Sequence, residues 1–543
     1  MRARRFARKA GLGATVSLVL CLAVGAGRAT ALAEPEPGAA GWMYEPGTVV
    51  VIDLTLSSAE RAKLEAEPDK YVKGTFSLSK TDGTPGGAET PVVTARPVEI
   101  RLKGNVLGSF RTLDGKAGFK FKFAKSEPFL GLRKMTLNNM VEDPSFIHET
   151  LAYRVFRGAG IAAPRTGFAD VRLNGEDFGT HLNLENLDKV NLERWFGKFE
   201  EPPQHLYEGE YGVDVTPGVA ALTGQEGGYE VDEGKEEHVE DLEALTAAVN
   251  STKGPGWSAA VGSVADLAEM TRMWAVEKYI GHWDGYSGEE GLRKPNNYYL
   301  YSDPAGRFQM LPWGTDNTWE PYRRTEFDAD AGLLFDDCLA DPACASLYRQ
   351  ALRELQKTIP GLGLDSLAAK TAALLKPWEE QEQGNGRSEH DLAEIKTGVD
   401  ETREFIAERP GELAAFLGPE ESSASVPAPG PSAGAPAVTT PSLYVGHSRR
   451  GGAALVTHLW FAGPGAVIQT AKVKTAHGWR KACSVRSTVS SVGGRDLRCR
   501  LSGSVLSRLH SHSVLLRLRT TFVPQSGPGE SAVRRVRLPR KIH

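Results

Sequence analysis

The sequence predicts an α+β domain over residues 43–418, followed by a small all-β domain over residues 442–543. In the first region the predicted order is strands, helix, strands, helix, loop and β-hairpin, which is typical of the α+β class. Residues 419–441 are rich in Pro, Ala, Ser and Gly, as in a linker. Residues 442–543 contain 18 Lys and Arg but two acids, whereas residues 1–441 contain 46 basic and 66 acidic residues. The chain therefore joins an acidic region to a basic one.

Composition excludes two classes of protein. Of the 543 residues, 41% are hydrophobic and 24% are charged, which is typical of a globular protein and opposes wholesale disorder. The sequence has no uninterrupted apolar run of about 18 residues, so a multi-span membrane protein is excluded.

Residues 1–33 are predicted to be a signal peptide. A basic start is followed by an apolar run from Ala14 to Gly27 and by an A-x-A cleavage motif at Ala31-Leu32-Ala33. The apolar run is short for a membrane-spanning helix. We therefore expect a secreted protein, with an uncleaved anchor as the alternative.

Four cysteines remain after the predicted cleavage, two in each charged region. An exported protein meets an oxidising environment, so disulfides are expected. Pairing within each region, Cys338–Cys344 and Cys483–Cys499, is the simplest of the three connectivities. Metal binding is the alternative, and the absence of a C-x-x-C motif disfavours it.

Apolar patterns predict three early strands and a helix. Thr48–Leu54 is a nearly continuous apolar run, and Pro97–Leu102 and Gly118–Phe123 alternate with period two. A helix is predicted to begin at Asp143-Pro144, because an N-cap residue precedes a proline at the first helical position.

A second helix and a β-hairpin follow. Ser263 and Asp266 resemble a capping box, and the helix that they begin is expected to end near Gly281. Tyr298–Tyr301 and Arg307–Leu311 are predicted strands about a turn. Three further β-like runs lie in the basic region: Ala453–Phe461, Ala466–Lys474 and Ser513–Phe522.

Three polar residues around the hairpin form the most informative pattern. Asp284 follows the second helix, Asn297 closes the next loop, and Asp316 follows the second hairpin strand. A phosphoryl-transfer site of the protein-kinase type needs these residue types in this order: an Asp orients the acceptor hydroxyl, and an Asn and a second Asp hold the metal. Mg²⁺ prefers such oxygen ligands. The alternative is that each residue caps a turn.

A lysine-rich strand and a helical carboxylate would supply the other half of such a site. Three lysines lie on or just before the GFKFKF strand: Lys116, Lys120 and Lys122. Glu149 shares a helical face with aromatic residues, namely Phe146, Tyr153 and Phe156. A carboxylate there needs a partner, and kinases use a Lys–Glu pair to hold nucleotide phosphates. We expect a Lys116–Glu149 pair, with an ordinary surface ion pair as the alternative. If the pair does not form, Lys103 or Lys120 is the next candidate, provided that it approaches Asp316.

Together these residues resemble the CotH (spore-coat-protein-H-like) kinase family. The resemblance covers about Val49 to Glu320 and lies in these segments: IRLKGN, KAGFKFKF, FLGLRKMTLNN, DPSFIHETLAYRVFRGAGIAAPRTGFADVRLNGEDFGTHLNLENLD and NNYYLY…LPWGTD. It implies an atypical protein-kinase-like fold and a secreted or coat-associated protein. It also implies transfer of phosphate from ATP, with Mg²⁺ or Mn²⁺, to Ser/Thr hydroxyls of secreted or envelope proteins.

The resemblance also implies a role for each candidate site residue. Lys116 resembles the phosphate-contacting lysine of the family's K-x-x-[FY]-K-x-K-F segment, and Glu149 resembles its helix partner. Asp284 resembles the catalytic Asp. Asn297 and Asp316 resemble the metal-binding residues.

One departure from the family pattern bears on activity. Where the family commonly has W-D-x-D, this chain has Trp313-Gly314-Thr315-Asp316. If the first Asp of that pair holds the metal, the ligand is missing here. A pseudokinase that serves as an envelope binding or structural protein is therefore the main alternative. The resemblance also implies that Leu182–Leu187 is the hinge-side strand near adenine.

The basic region suggests a partner. Residues 442–543 are expected to attract an anionic cell-wall polymer or anionic lipid at long range. Two alternatives are that its basic residues are merely solvated, or that it docks on the acidic region of the same chain. Nucleic acid is not an expected partner, because the region lacks interleaved aromatic residues and export is expected.

Overall fold

The computed structural model divides the chain into two compact units at Glu420. It describes residues 32–104, 108–201, 203–288, 295–329 and 331–419 of the first unit. In the second unit it describes residues 438–444, 454–461, 465–475, 478–489, 493–509, 514–524 and 530–538. Nearly all of the predicted signal peptide and most of the predicted linker lie outside these residues.

The first unit mixes strands and helices, which confirms the predicted α+β class. Its described strands are β1 Val49–Thr55, β2 Val72–Thr81, β3 Glu89–Lys103, β4 Gly118–Lys122, β5 Lys134–Asn138, β6 Thr166–Leu173, β7 Glu176–Leu184, β8 His205–Gly209, β9 Tyr229–Glu233, β10 Tyr298–Ser302 and β11 Phe308–Pro312. Its described α-helices are α1 Ser58–Ala66, α2 His148–Gly158, α3 Lys189–Phe196, α4 Glu240–Ser251, α5 Trp257–Val261, α6 Leu267–Ile280, α7 Leu333–Ala340, α8 Pro342–Leu362, α9 Leu364–Asn385 and α10 Leu392–Leu417.

The first seven of these strands close a barrel in the order β1-β2-β3-β4-β5-β7-β6. The β-branched run of β1 is buried because it lies between antiparallel β2 and parallel β6. Phe76, Phe119 and Phe121 point into the barrel, so the alternate residues of β3 and β4 face outwards. The three strands predicted early in the chain all belong to this barrel, but its closure was not predicted.

A four-stranded sheet in the order β11-β10-β8-β9 stands beside a helical core. The predicted hairpin is confirmed as β10 and β11. Helix α6 and its end at Gly281, which has φ +68°, are confirmed, but the helix begins at Leu267 rather than near Ser263. Asp266 is itself the N-cap, because its carboxylate accepts the backbone N–H of Glu269 at 3.1 Å.

The first predicted helix begins later than expected. Helix α2 starts at His148 rather than at Asp143-Pro144. The Asp143 carboxylate accepts the backbone N–H groups of Ser145 and His148, each at 2.8 Å. Asp143 therefore caps the helix across an intervening turn in which Phe146 has φ +61°. Side-chain bonds of this kind compete with helix formation, which is why the helix does not extend back to Pro144.

The second unit contains, in its described part, strands β12 Val438–Tyr444, β13 Ala454–Phe461, β14 Gly465–Thr475, β15 Gly478–Val489, β16 Gly493–Arg500, β17 Val514–Pro524 and β18 Glu530–Leu538, and helix α11 Gly503–Leu509. The strands form a sheet in the order β12-β13-β16 and another in the order β15-β14-β17-β18. The three predicted runs are confirmed as strands. Two details differ: α11 was not predicted, and β12 begins within the predicted linker.

Both predicted disulfides are confirmed. Cys338–Cys344 joins α7 to α8, and Cys483–Cys499 joins the two sheets of the second unit. Among the described helices, none is long and apolar enough to span a bilayer.

Candidate active site

Asp284 lies in the polar turn that follows α6. The turn is fixed by His282, which is fully buried and donates from Nε2 to the carbonyl oxygen of Gly314 at 3.1 Å. Asp284 Oδ2 accepts hydrogen bonds from Asn296 Nδ2 at 3.2 Å and from Asn297 Nδ2 at 2.9 Å. Burial raises the pKa of Asp284 above its usual value, although the charge of His282 and these amide bonds oppose the shift. A raised pKa suits a general base near neutral pH.

Asn297 and Gly314 fit together at the ends of the hairpin. Asn297 has φ +52° and donates from Nδ2 to the carbonyl oxygen of Asp284 at 3.0 Å, as well as to its carboxylate. Gly314 has φ +49°, and a Cβ there would lie 2.4 Å from Asn297 Oδ1. An Asp at position 314, as in the family's W-D-x-D, would therefore displace the amide that binds Asp284.

Asp316 is positioned from α2. Its carbonyl oxygen accepts a hydrogen bond from His148 Nδ1 at 2.8 Å. The other ring nitrogen of His148, Nε2, lies 2.9 Å from Thr402 Oγ1 on α10, and the His148 carbonyl oxygen accepts from Trp319 Nε1 at 3.2 Å. The first residue of α2 thus holds the Asp316 loop beside Glu149, the second residue of the same helix.

Glu149 is linked to Lys103, not to Lys116. The buried Glu149 carboxylate accepts a hydrogen bond from Asn138 Nδ2. Asn138 Oδ1 in turn accepts from Lys103 Nζ at 3.0 Å. These two contacts join the end of β3 to α2 through β5. The expected Lys116–Glu149 pair is therefore wrong, and Lys103 is the lysine that is linked to Glu149, through Asn138.

Lys116 forms a different ion pair. Its Nζ lies 2.6 Å from Glu382 Oε1, and each side chain is 1% exposed. The other oxygen of Glu382, Oε2, accepts the backbone N–H of Thr180 at 2.9 Å. The pair therefore binds α9 to the barrel, and Lys116 has a structural role here.

Two further carboxylates around this ion pair predict a pH-dependent stability. Burial and the charge of Glu382 raise the pKa of Glu379 to about 7; burial, with Asp177, raises that of Asp170 to about 7. The folded state then binds protons more tightly than the unfolded chain, whose acids titrate near 4. The stabilisation is full below about pH 4 and is lost as the pH rises to about 7.

We expect the melting temperature to fall between pH 5 and pH 8, and Glu379→Gln to flatten this fall. Glu404→Gln, which replaces an exposed carboxylate on α10, is the matched control. Identical pH profiles for wild type and Glu379→Gln would contradict the prediction.

Carboxylates converge where Asp284, Asp316 and Glu149 meet. Burial and the charge of Asp316 raise the pKa of Glu149 to about 8 and that of Glu142 to about 7, and Lys103 opposes both shifts. The charge of Asp316 also contributes to the raised pKa of Asp284. The three sequence-predicted residues Asp284, Asn297 and Asp316 are thus brought together, with Glu142 as an unpredicted neighbour.

Basic residues on the outer face of the barrel lie on the side of the region where Asp284, Asp316 and Glu149 meet. Arg101 and Lys103 on β3 and Lys120 on β4 are close enough that the two other cations add to the effect of burial in lowering the pKa of Lys120. Across from them lie Glu208 on β8 and Asp232 on β9, whose charges oppose that shift. The outer barrel face and the second sheet therefore bring charges of opposite sign close together.

A divalent metal ion bound together with phosphate would suit the residue types around Asp284 and Asp316. In the described part of the chain no three His, Cys, Asp or Glu side chains are placed to hold a metal by themselves. Mg²⁺ often takes one or two protein ligands and completes its shell with water and substrate phosphates. The buried Glu149 Oε1 has no hydrogen-bond partner, and the repulsion that raises the pKa of Glu142 and Glu149 would be relieved by a cation. Asn297 and Asp316 are the residues that would hold it.

A family model described as "CotH kinase protein" matches residues 100–413, which is more than half of the chain. The chain belongs to the CotH family. The match begins in β3 and ends in α10, so it includes Lys103, Asp284, Asn297 and Asp316, and also Glu382 on α9.

Curated relatives of this CotH protein are distant. It is 26% identical over 233 residues to inner spore coat protein H of Bacillus subtilis strain 168, covering 41% of this chain and 59% of that protein. It is 24% identical over 263 residues to invasin CotH2 of Rhizopus delemar, covering 45% of this chain and 44% of that protein. The chain thus spans about half the length of these curated relatives.

Four residues of this region were named from the sequence, namely Asp284, Asn297, Asp316 and Glu149, and others were missed. Lys103 was a secondary candidate, and Asn138, Glu142 and His148 were not considered. Period-two alternation was the available signal for Lys103, because it puts Lys103 on the outward face of β3 with Arg101.

Proposed function

We propose that this CotH protein is an atypical kinase that transfers phosphate from ATP to hydroxyl groups of proteins, with Mg²⁺ or Mn²⁺. The observation that supports it most is the meeting of Asp284, Asn297 and Asp316 opposite the Lys103–Asn138–Glu149 chain. A site of this type acts by positioning the reactants and neutralising charge.

Asp284 would orient the acceptor hydroxyl and take its proton. As the hydroxyl oxygen bonds to the terminal phosphorus of ATP, the bond from that phosphorus to the bridging oxygen breaks, and ADP leaves. Asn297 would hold the Asp284 carboxylate in place through the hydrogen bonds described above. No covalent enzyme intermediate is required.

Lys103 would contact the nucleotide phosphates, and Glu149 would orient it through Asn138. The bound metal ion would neutralise phosphate charge, held by Asn297 and Asp316. The segment 182–187, which leads from β7 towards α3, would be the hinge beside adenine. Leu182 and Leu184 are buried in the protein core, and the backbone of residues 182–184 is paired with β5 and β6, so a base would have to meet this segment beyond the end of β7.

The acceptor is proposed to be a secreted or envelope protein. Two observations support an extracellular or coat-associated location: relatives are named as a spore coat protein and an invasin, and this chain has two disulfides. The predicted signal peptide agrees with this proposal.

A pseudokinase is the second candidate, and Gly314 favours it. The family's W-D-x-D pattern has an acid where this chain has Gly314, and Asn297 occupies the adjacent space. In this case the protein would bind a nucleotide, or only its envelope partner, without transfer.

Calorimetry with ATP and Mn²⁺ tests the proposal. We expect metal-dependent binding by the full chain, weakened about tenfold to a hundredfold by Asp316→Ala, because a charged contact to the metal–nucleotide complex is lost. Asp303→Ala, in the distant β10–β11 turn, is the control. Transfer of radiolabel from ATP to the chain itself would support the kinase. Binding without any transfer would favour the pseudokinase. No binding would contradict both the kinase and a pseudokinase that binds a nucleotide.

A further inference from the structure

A row of basic residues crosses one face of the four-stranded sheet of the second unit. In the register of that sheet Lys481 on β15 lies opposite Lys472 on β14, Lys472 lies opposite Arg517 on β17, and Arg517 lies opposite Arg535 on β18. These four positions, one on each strand, are called the cation row.

Three members of the cation row lie on the outer face of the sheet. Lys472, Lys481 and Arg517 are exposed. The neighbours of Lys472 along β14, Ala471 and Val473, are buried in the core of the unit. Since successive side chains point to opposite faces of a strand, the three exposed cations share the outer face.

A β-bulge creates part of the row. Ala471 pairs with Cys483, but the next residue, Lys472, pairs with Lys481, so Ala482 has no partner. Without the bulge, Lys472 would lie opposite Ala482. Bulges re-aim side chains, and this one brings two lysines directly opposite each other. Like charges in that position destabilise a sheet, so the arrangement needs a compensating partner.

The cation row is the line of this face in which all four strand positions are basic, and Lys474, Arg486 and Arg519 are further exposed cations of the same sheet. Neighbouring strands are about 4.8 Å apart, so four positions span about 14 Å across the strands. In the adjacent row Ser484 and Thr470 are neutral and bonded to each other at 3.3 Å, and Arg519 is the cation. The evenly spaced positions of the cation row match a chain of regularly spaced anions.

We propose that the cation row binds a linear polymer of phosphate groups that lies across the strands of this sheet. Charge complementarity carries the assignment, and the neighbouring Cys483–Cys499 disulfide holds the bulged strand in place. The proposal goes beyond the kinase activity and does not depend on it.

Binding of long-chain inorganic polyphosphate to the full chain tests this. The row variant is Lys472→Gln/Lys481→Gln/Arg517→Gln. The matched control removes three other exposed cations of the same unit: Arg480→Gln/Arg498→Gln/Arg500→Gln. For about four phosphate contacts we expect wild type and control to lose affinity about a hundredfold from about 50 to about 200 mM salt, and the row variant to retain weak binding that changes less than about fivefold.

The row variant is expected to melt at the same temperature as wild type or higher, because repulsion between opposed cations is removed. The single variant Arg517→Gln should give an intermediate loss of affinity. Equal losses in row variant and control would overturn the proposal, since only net charge would then matter. So would binding to phosphatidylglycerol vesicles but not to polyphosphate, or no binding at low salt.

Discussion

Replacing Asp284 with Ala is expected to reduce phosphotransfer by about 10²- to 10⁴-fold, the range of a lost general base, while nucleotide binding persists. Asp284 bonds to Asn296 and Asn297 and is the carboxylate proposed to receive the hydroxyl proton. The measurement is radiolabel transfer under single-turnover conditions, with calorimetry of ATP and Mn²⁺ on the same preparation.

Asp316→Ala is the informative comparison for this experiment. Its defect should lie mainly in metal-dependent binding, because Asp316 is proposed to hold the metal rather than the proton. Equal and mild effects of both substitutions on transfer and binding would contradict the roles assigned to the two carboxylates.

Lys103→Met and Lys116→Met are expected to have different effects, although both remove a lysine near the barrel: the first on ATP binding, the second on stability. Lys103→Met should leave the fold intact and weaken ATP binding. Lys116→Met should lower the free energy of unfolding by about 3–5 kcal/mol, because Glu382 would remain buried without its counter-charge. Chemical denaturation and calorimetry on both variants separate the two effects.

The double variant Lys116→Met/Glu382→Met is the control for the structural role. Replacing both members of a buried ion pair with apolar residues is often neutral, so much of the lost stability should return. If Lys116→Met instead folds as well as wild type and loses nucleotide binding, the assignment made from the sequence is restored and Lys103 is not the phosphate-contacting lysine.

Sequence patterns predicted the parts of the fold that depend on contacts between residues close together in the chain, such as helix ends and hairpins. Asp266 and Gly281 satisfy the ends of α6 within one turn of the chain, and the alternating residues of the hairpin pair with their immediate neighbours. The start of α2 was misplaced because two structures compete for the Asp143 carboxylate, a helix cap and a turn, and sequence does not rank them.

The part of the site that was predicted consists of residues that are close together in the chain as well as in space. Asp284, Asn297 and Asp316 follow one helix and one hairpin, so their meeting depends on short connections. The choice of the phosphate-contacting lysine depends on partners that are distant in the chain. Lys116 pairs with Glu382, and Lys103 reaches Glu149 through Asn138. The strand pattern contains no information about which distant carboxylate a lysine will meet.

The Lys116–Glu382 contact also affects the order in which the parts of this protein can finish folding. During synthesis the barrel strands emerge well before α9, and until residue 382 follows them the Lys116 ammonium has no counter-charge in the position it will occupy. We therefore expect the amino-terminal half to reach its full stability only after α9 has been made. A shortened form that stops after β11 would contain every proposed catalytic residue and still lack Glu382 and Thr402, the partners of Lys116 and His148, so the smallest useful fragment extends through α10 to Leu417.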